Sequence, residues 1–563
     1  MNRRSFLSTV GLGAAAVAQD VAQRIESPSV HPSLRYINPK TGAHPFTAGI
    51  PSKRPHIFLI TLDMVSPEHY HPSRAFHREM NLPAIHSLRS DSAVFTNSFC
   101  TAPVCAPARA SLATGRYSYI TANGERAHDG HETILRASDV IFQEYLKATG
   151  YTTKHAGKGH LGTQKFMDAF DENDNAWDRW APPIYDDELY LAYLRRLGVR
   201  QQRYRREIFT TQQDRKTPGF SLGGWIEQSD GKPFPMEAQY THFLVDRAIQ
   251  KLDAALADSP DKPVYLQLDI FDPHQPFSIP AGLEEREKLL LGAAGRLPES
   301  YRDMGRRNWE TVPLQPKIYE FYRRNWGMYD PANLRAYRTA AALQMEVVDL
   351  ALAKFFRALV QRNLYQDSIV ILTSDHGEMN GHHALVDKGV YLYPDVLRVP
   401  LMVKMPGMSP GQVEEPVSHL DIAPTLLGVA GVEPMERLDG RSLLPYLKRE
   451  VTNGDRDLLF ECGWHTGVNF ACATQRWTRG GEHHLYSYNC SDRYDELYDL
   501  HSTDADNLAA RDDSKKVKSE MIGRLGAFLQ KDARWRGYYS SFSVDHYWDL
   551  PRPKGDVQMF RPV

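Results

Sequence analysis

Short apolar runs that alternate with segments of helical periodicity constrain the fold of this chain most strongly. The apolar runs lie at 56–61, 264–269, 368–373 and 401–404. Their length and apolar content are typical of buried strands. Between them, apolar residues recur every three or four positions from Leu244 to Leu256 and from Ala340 to Phe355, which is typical of one face of a helix. Strands that alternate with helices predict an α/β fold with a large, mixed, mostly parallel sheet that is flanked by helices.

Two of the predicted strands end in an aspartate. Asp63 follows the first run, and Asp375 follows the third. In open α/β sheets, polar ligands bind beyond the carboxyl ends of the strands. These two carboxylates therefore indicate where a functional site lies.

Chain length and composition predict more than one packed unit. A chain of 563 residues is too long for one simple hydrophobic core. We expect a surface lead-in over 19–54, a catalytic domain over 55–440 and a smaller C-terminal α+β subdomain over 441–563. In that last part, short aromatic and polar strands precede a helical segment from Ser514 to Leu529.

Two long stretches, 184–240 and 278–335, lack clear periodicity. Long loops in a compact enzyme usually shape the substrate site, so we expect insertions there. The first stretch is rich in tyrosine, and its candidates for stacking on sugar rings are Tyr185, Tyr190, Tyr193 and Tyr204. Packing in a core explains these tyrosines equally well.

The first 18 residues resemble a twin-arginine export signal. Arg3 and Arg4 precede a weakly hydrophobic run, and the small residues Ala16 and Ala18 flank Val17, as a signal peptidase requires. This pattern predicts an exported protein, periplasmic or secreted, that folds before it crosses the membrane. No stretch is apolar enough and long enough to predict a membrane-spanning helix.

Charge and cysteine content exclude several classes of protein. Lysine and arginine total 67 against 69 aspartates and glutamates, so a net charge of -2 gives no reason to expect a nucleic acid or an anionic membrane as partner. Five cysteines in so long a chain do not make a disulfide framework, and an odd count leaves one unpaired. Cys462, Cys472 and Cys490 could include one disulfide outside the cytoplasm.

The segment from Cys105 to Arg116 brings together a nucleophile and a cation. Pro107 suits the first turn of a helix, so Cys105 is expected just ahead of a helix N-terminus, where free N–H groups favour an anion. Arg109 is four residues further on and therefore lies on the same face. Both side chains would point at one bound oxyanion. The alternative is a structural cysteine before an ordinary helix.

This segment resembles the signature of type I sulfatases, C-x-P-x-R followed by x-x-x-x-x-G-R, with every fixed position filled. The resemblance extends from about His56 to Leu508 and implies an alkaline-phosphatase-like fold. It also implies that a formylglycine-generating enzyme oxidises Cys105 to formylglycine, which works as its hydrate. One hydroxyl of the hydrate would attack sulfur, and the second would then expel sulfate.

The same resemblance implies a metal site. Asp63 matches one family ligand, Asp375 and His376 match two more, and the modified Cys105 completes the set. The family usually has a second acid where this chain has Met64, although choline sulfatases and phosphonate monoester hydrolases also lack it. A thioether is a poor ligand for a hard cation. We expect one divalent cation, Ca²⁺ first, with Mn²⁺ or Mg²⁺ as alternatives.

Further motifs match family residues that bind sulfate or assist the leaving group. Lys158 and His160 lie in a G-K-x-H-L-G motif, and the resemblance assigns Lys158 to sulfate and His160 to the nucleophile. It implies that His274 contacts the leaving group and is a candidate general acid. It also implies that Lys388 contacts both sulfate and leaving oxygen. Arg109 completes this catalytic set. We interpret His382 and His383 as supporting or loop residues.

The function expected from the residues and the resemblance is hydrolysis of a sulfate monoester, on a sulfated carbohydrate in view of the export signal. A phosphodiester or phosphonate monoester hydrolase of the same architecture is the alternative, because phosphoryl and sulfuryl groups share shape and in-line displacement. Choline-sulfatase-like activity is a further alternative. A catalytically inactive module that binds sugar sulfates would lack the nucleophile or the metal ligands, and this chain retains both.

Overall fold

The computed structural model describes most of the chain between residues 54 and 543. The described residues are 54–117, 135, 139–162, 164–174, 178–211, 217–302, 315–389, 391–434, 437–450, 456–463, 470–477, 481, 483–489, 493–501, 506–532, 535, 539–540 and 542–543. The predicted export signal at 1–18 and nearly all of the lead-in lie outside them, so both stay predictions. Among the described residues, no helix has the length and apolar content needed to cross a membrane.

The described strands are labelled β1 to β16 in chain order. They are β1 Ile57–Asp63, β2 Ala93–Phe95, β3 Ser98–Phe99, β4 Thr152–Gly157, β5 Gln202–Thr211, β6 Pro218–Gln228, β7 Val264–Pro273, β8 Phe277–Ile279, β9 Ile369–Ser374, β10 Leu401–Lys404, β11 Gly411–Val413, β12 Val417–Ser418, β13 Leu458–Gly463, β14 Phe470–Trp477, β15 His483–Asn489 and β16 Tyr494–Asp499.

The α-helices of the described residues are labelled in the same way. They are α1 Pro67–Tyr70, α2 Pro83–Ser90, α3 Cys105–Thr114, α4 Phe142–Ala148, α5 Gln164–Asp168, α6 Glu188–Leu197, α7 Tyr240–Asp258, α8 Glu284–Ala294, α9 Lys317–Trp326, α10 Pro331–Gln361, α11 Pro394–Leu397, α12 Ile422–Ala430, α13 Leu444–Leu447 and α14 Lys515–Lys531.

A seven-stranded sheet forms the centre of the molecule. Its strand order is β11-β2-β10-β9-β1-β7-β4. Strands β9, β1, β7 and β4 run parallel to one another, whereas β10 is antiparallel to β9 and β2. Every residue of β1, β7 and β9 is buried, as expected of strands covered on both faces. The mixed, mostly parallel sheet predicted from the sequence is therefore confirmed.

Two long helices close one part of this core. Helix α7 packs on β4 and β7, and α10 packs on α7 and β7. Their apolar stripes, predicted from the spacing of Leu244 to Leu256 and of Ala340 to Phe355, lie in the main hydrophobic cluster with the strands of the sheet. The strong periodicity of both segments thus predicted their packing as well as their helicity.

The expectation of irregular insertions at 184–240 and 278–335 is wrong for most of their length. The first contains α6 and the hairpin of β5 and β6, and the second contains α8 and α9. Strand β8 follows β7 in the chain and pairs with β6, so it connects this hairpin to the chain segment after β7. The many arginines of 195–206 hid the pattern, because their exposed side chains interrupt both the helical and the alternating period.

Short strands and a late helix follow Gly440, as the sequence predicted. Strands β13 to β16 form an antiparallel sheet in sequential order. Helix α14 packs on β14 and β15. The boundary at 440/441 between a catalytic domain and a C-terminal subdomain stays a prediction.

Candidate active site

Four adjacent parallel strands bring the predicted site residues to one edge of the sheet. Asp63 is the last residue of β1, and Asp375 and His376 come directly after β9. Lys158 follows β4, and His274 follows β7. Because parallel strands share the edge at which they end, residues that are far apart in sequence meet there.

Cys105 is the first residue of α3, which differs slightly from the expected position just ahead of the helix. Val104 caps the helix in an extended conformation, and Pro107 stands in the first turn, where its missing N–H removes no hydrogen bond. The Cys105 side chain is fully buried, with Sγ 3.3 Å from His376 Nε2 and 3.8 Å from Asp63 Oδ1. Cys105 therefore lies between the N-terminus of α3 and the carboxyl ends of the strands.

Four buried groups could hold a metal ion together. One ligand atom each from Asp63, Cys105, Asp375 and His376 lies within 4.8 Å of the other three. His376 Nδ1 donates to the carbonyl of Gly377 at 2.8 Å, so Nε2 keeps its lone pair for the cluster. Two carboxylates and one imidazole suit a divalent cation that prefers oxygen, with water at the remaining positions. The residues therefore fit a divalent cation.

Two buried cations compensate the carboxylates of this cluster. Arg109 Nε donates to Asp375 Oδ2 at 2.9 Å, and Lys158 Nζ donates to Asp63 Oδ2. Burial raises the pKa of Asp375, but nearby cationic groups, Arg109 among them, outweigh it and hold this pKa below its ordinary value. Since the cations already balance both aspartates, the site can accept a divalent cation and a doubly charged anion together.

A glycine allows Lys158 and His160 to approach the sheet. Gly157 has a φ of +102°, and a Cβ there would lie 1.9 Å from the carbonyl oxygen of Asp269. The backbone N–H of Lys158 donates to that same oxygen at 2.9 Å. His160 hydrogen-bonds Cys105, and burial lowers the pKa of its imidazole. The G-K-x-H loop thus aims a cation and a neutral imidazole at the cysteine.

His274 and Lys388 meet on another side of the site. Lys388 Nζ lies 2.7 Å from His274 Nε2 and 4.0 Å from the sulfur of Met64. Met64 therefore faces the lysine, while its backbone N–H donates to Asp375 Oδ1 at 3.1 Å. The position where the family usually has a second acid here contributes a backbone hydrogen bond and an apolar surface.

Sequence reasoning missed two aspartates that hold the cations, one buried (Asp269) and one partly buried (Asp387). Asp269 lies 3.6 Å from Arg109 and accepts from His155 at 3.0 Å. Asp387 accepts from Lys388 at 2.9 Å. Asp387 was visible only as the residue before Lys388, and Asp269 only as the end of an apolar run, and neither pattern indicates a partner.

His382 and His383 lie apart from the metal-ligand cluster. His382 Nε2 is 3.0 Å from Asp395, which also pairs with Arg74. His383 hydrogen-bonds the side chain of Gln315. These contacts support the interpretation of both histidines as supporting or loop residues.

The four candidate stacking tyrosines divide into two groups. Tyr190 and Tyr193 belong to the main core and donate to carbonyl oxygens of the 237–238 turn, so they cannot reach a substrate. Tyr204 is partly buried against the same core. Tyr185 is exposed, and so is Trp180, which the sequence analysis did not single out.

A family model supports the catalytic part of the chain. The model described as sulfatase matches residues 55–432. A second model, described as the C-terminal region of N-sulphoglucosamine sulphohydrolase, matches residues 381–531. Together they cover the central sheet, the candidate site and most of the C-terminal strands.

Relatives of this chain include several sulfatases. It is 26% identical to the uncharacterized sulfatase YidJ of Escherichia coli over 65% of this chain and 66% of that protein. It is 25% identical to an ulvan-active sulfatase of Formosa agariphila over 85% of each. It is 24% identical to a choline-sulfatase of Rhizobium meliloti over 70% of this chain and 71% of that protein.

Solved structures share the fold. The phosphonate monoester hydrolase of Silicibacter pomeroyi superposes with a TM-score of 0.64 at 18% identity, over 85% of this chain and 96% of that one. Identity at this level shows the common alkaline-phosphatase-like architecture alone. Since the family model spans well over half of the sequence, the chain belongs to the sulfatase family and is a sulfuric ester hydrolase.

Proposed function

We propose that this protein removes sulfate from sulfated carbohydrates through a formylglycine made from Cys105. The observation that carries the proposal is the environment of Cys105, which is buried at a helix start between two carboxylates, an imidazole and two cations. A structural cysteine needs none of these charges around it. A nucleophile that attacks a sulfate ester needs all of them.

The proposed reaction has two steps. In the first, one hydroxyl of the hydrated formylglycine attacks sulfur, the bond from sulfur to the alcohol oxygen breaks, and the alcohol leaves with a proton. In the second, the other hydroxyl loses its proton, the bond from carbon to the sulfated oxygen breaks, and sulfate leaves as the aldehyde reforms. A plain thiol has no second hydroxyl and cannot complete the second step.

Asp63, Asp375, His376 and the modified residue 105 would hold the divalent cation. A bound cation supplies positive charge to the sulfate oxygens and favours the ionised hydrate. We propose Ca²⁺ first, because carboxylate oxygen dominates the ligand set, with Mn²⁺ or Mg²⁺ as alternatives.

Arg109, Lys158 and His160 would serve the nucleophile and the sulfate. Arg109 is held between Asp375 and the carbonyl of Lys158, 2.7 Å from that oxygen, so its guanidinium cannot swing away. Lys158 bridges to Asp63 and leaves further N–H groups for sulfate. His160, neutral and hydrogen-bonded to Cys105, is suited to accept a proton from the hydrate.

A phosphodiester or phosphonate monoester hydrolase is the second candidate function. The observation that favours it is Met64, because an apolar side chain replaces an acid at the metal site. Choline-sulfatase-like activity is a third, given the relative of that name. The choice among the three depends on the alcohol side of the site.

We also propose that the protein is exported and that its partners are a sulfated substrate and a formylglycine-generating enzyme. The twin-arginine pattern in residues 1–18 supports export in the folded state. Modification of Cys105 would then precede export, because the thiol is fully buried after folding.

Steady-state hydrolysis of three substrates tests the proposed function. Sulfated monosaccharides, choline sulfate and phenyl phosphonate esters are compared by kcat/KM, with Cys105→Ala as the inactive control. We expect the sugar sulfates to have the highest value. Phosphonate hydrolysis that exceeds every sulfate ester would replace this function with the second candidate.

A further inference from the structure

An exposed tryptophan stands beside the proposed leaving-group residue His274. Trp180 is 57% exposed, and its ring meets that of His274 edge to face with 6.3 Å between centroids. His274 itself is buried. A large aromatic face that is left open to water next to a buried site residue is a candidate surface for a ligand.

The loop that carries Trp180 is hydrogen-bonded to the loop of Lys158 and His160 and to its own following segment. Asp178 Oδ1 accepts the backbone N–H of Gly162 at 2.8 Å, and Gly162 ends the loop of Lys158 and His160. Arg179 pairs with Asp186 at 3.0 Å further along the same segment. Trp180 therefore lies between the sulfate-binding loop and His274, where the alcohol part of an ester would emerge.

We propose that Trp180 binds the alcohol part of the substrate by stacking its indole face on the pyranose ring of a sulfated sugar. This inference rests on the proposed function, since it needs the ester oxygen to face His274 and Lys388. A pyranose ring presents C–H groups to an aromatic face and hydroxyls at its edge.

The experiment compares Trp180→Ala and Trp180→Phe with the wild type on a panel of monosulfated glucose, galactose and N-acetylglucosamine, and on acyclic choline sulfate. For the sugar cleaved best, Trp180→Ala should raise KM about 3- to 10-fold, the range expected from one aromatic contact, with kcat little changed. Trp180→Phe should retain most of the affinity. Phe220→Ala, an equally exposed aromatic whose ring meets Trp326 instead of His274, is the matched control and should match the wild type.

Two outcomes overturn this proposal. One is an unchanged KM for sugar sulfates in Trp180→Ala, and the other is a wild type that cleaves choline sulfate or nitrophenyl sulfate but no sugar in the panel. Failure of the proposed function is distinguishable, because the wild type would then cleave phosphonate esters in preference to every sulfate ester, whatever Trp180 does.

A second and independent observation concerns the carboxylate of Asp387. Its two oxygens accept from Lys388 Nζ at 2.9 Å and from Gln275 Nε2 at 3.0 Å. Its φ is 68°, which L-residues rarely adopt, and its N–H donates to Glu378 Oε1 at 2.9 Å. The carboxylate of Asp387 therefore hydrogen-bonds both Lys388, its neighbour in the chain, and Gln275, the residue after His274.

The hydrogen bonds of His274 show which group carries the proton. Its Nδ1 contacts the carbonyl oxygen of Gln275, which can only accept, so Nδ1 bears the hydrogen. Nε2 then has a lone pair and accepts from the ammonium of Lys388 at 2.7 Å. In this arrangement His274 is neutral and has no proton to give from Nε2, whereas Lys388 has.

We infer that Asp387 is a positioning residue that fixes Lys388 against His274, so that Lys388 rather than His274 protonates the leaving oxygen. As the sulfur–oxygen bond breaks, its electron pair stays on the alcohol oxygen, which takes a proton from Lys388 Nζ. The neutral amine regains a proton from the second hydroxyl of the hydrate when that hydroxyl is deprotonated to expel sulfate. The hydrate thus restores the proton that Lys388 gives to the alcohol, and the proton that His160 takes from the first hydroxyl is released to water.

The test is the dependence of kcat/KM on the leaving group in a series of aryl and alkyl sulfates. Lys388→Ala should make this dependence steeper, because poor leaving groups lose most when the proton donor is absent. Asp387→Asn should do the same to a smaller degree, because it displaces the ammonium without removing it. His274→Ala should lower all rates with a smaller change of slope. A purely structural role of Asp387 would lower every substrate equally, and that result, or a steeper slope in His274→Ala alone, would overturn the inference.

Discussion

The two sides of the site are built in different ways. The proposed nucleophile side comprises Cys105, Asp63, Asp375, His376, Arg109 and Lys158, and the proposed leaving-group side comprises His274, Lys388, Asp387 and Trp180. Four residues of the first side stand at or directly after strand ends, and Cys105 starts a helix, so the sheet topology fixes their positions. On the second side His274 directly follows a strand, whereas Lys388, Asp387 and Trp180 lie on loops, with positive φ at Asp387 and an exposed ring at Trp180.

From this difference we infer that the first side determines the reaction and that the second side determines which ester is preferred. Groups fixed by a buried sheet keep one geometry and suit a reaction that is common to a whole family. Groups on loops change shape and chemistry more easily, and they contact the part of the substrate that differs between esters. We therefore expect substitutions on the nucleophile side to abolish the reaction on every ester, and substitutions on the leaving-group side to change which ester is preferred.

Cys105→Ala should have the largest effect. Loss of the nucleophile should lower kcat about 10⁴-fold or more, as in other enzymes that use covalent catalysis. The side chain is small, so circular dichroism should stay close to the wild type. Cys105→Ser should be inactive as well unless the modifying enzyme accepts serine. Turnover close to the wild type in the alanine variant would show that Cys105 does not supply the nucleophile.

Asp375→Asn should lose metal and activity together on all substrates. The carboxylate is a proposed ligand and also the partner of Arg109 at 2.9 Å, so its loss leaves a buried cation without compensation. Metal analysis of the purified protein and rates at saturating divalent cation provide the measurement. Full metal content with full activity would contradict the ligand assignment.

Lys388→Ala should have an intermediate and substrate-dependent effect. Loss of a proton donor typically costs about 10²- to 10⁴-fold for a poor leaving group and much less for a nitrophenolate, whose charge is already delocalised. The ratio of kcat/KM for a sugar sulfate and for nitrophenyl sulfate gives the answer. Equal losses on both would place Lys388 with the sulfate-binding groups of the nucleophile side.

The sequence predicted the nucleophile side because topology and motif agree there. Asp63 and Asp375 end apolar runs, and the order of parallel strands brings them together. Tyr190 and Tyr193 were possible sugar contacts by composition, but helix α6 turns them into the core. Asp387 and Trp180 could not be predicted, because a left-handed backbone and the exposure of a ring depend on packing between distant segments rather than on local pattern.

His382→Asn should have the smallest effect on activity. Its ring contacts Asp395 rather than the ligand atoms, so metal content and kcat should stay within about threefold of the wild type while stability falls by about 1–3 kcal/mol for the lost buried hydrogen bond. Thermal unfolding and metal analysis of the same sample separate the two effects. Loss of metal in this variant would show that the 382–384 turn also supports the metal site.

Mass spectrometry of the peptide that contains Cys105 shows directly whether this residue becomes the proposed catalytic aldehyde. Active protein from a host with a formylglycine-generating enzyme is digested, and the peptide is examined with and without a hydrazide that captures aldehydes. The expected result is the mass of formylglycine, a hydrazone after treatment, and activity in proportion to the modified fraction. Full activity in a preparation whose Cys105 is entirely an unmodified thiol would contradict it.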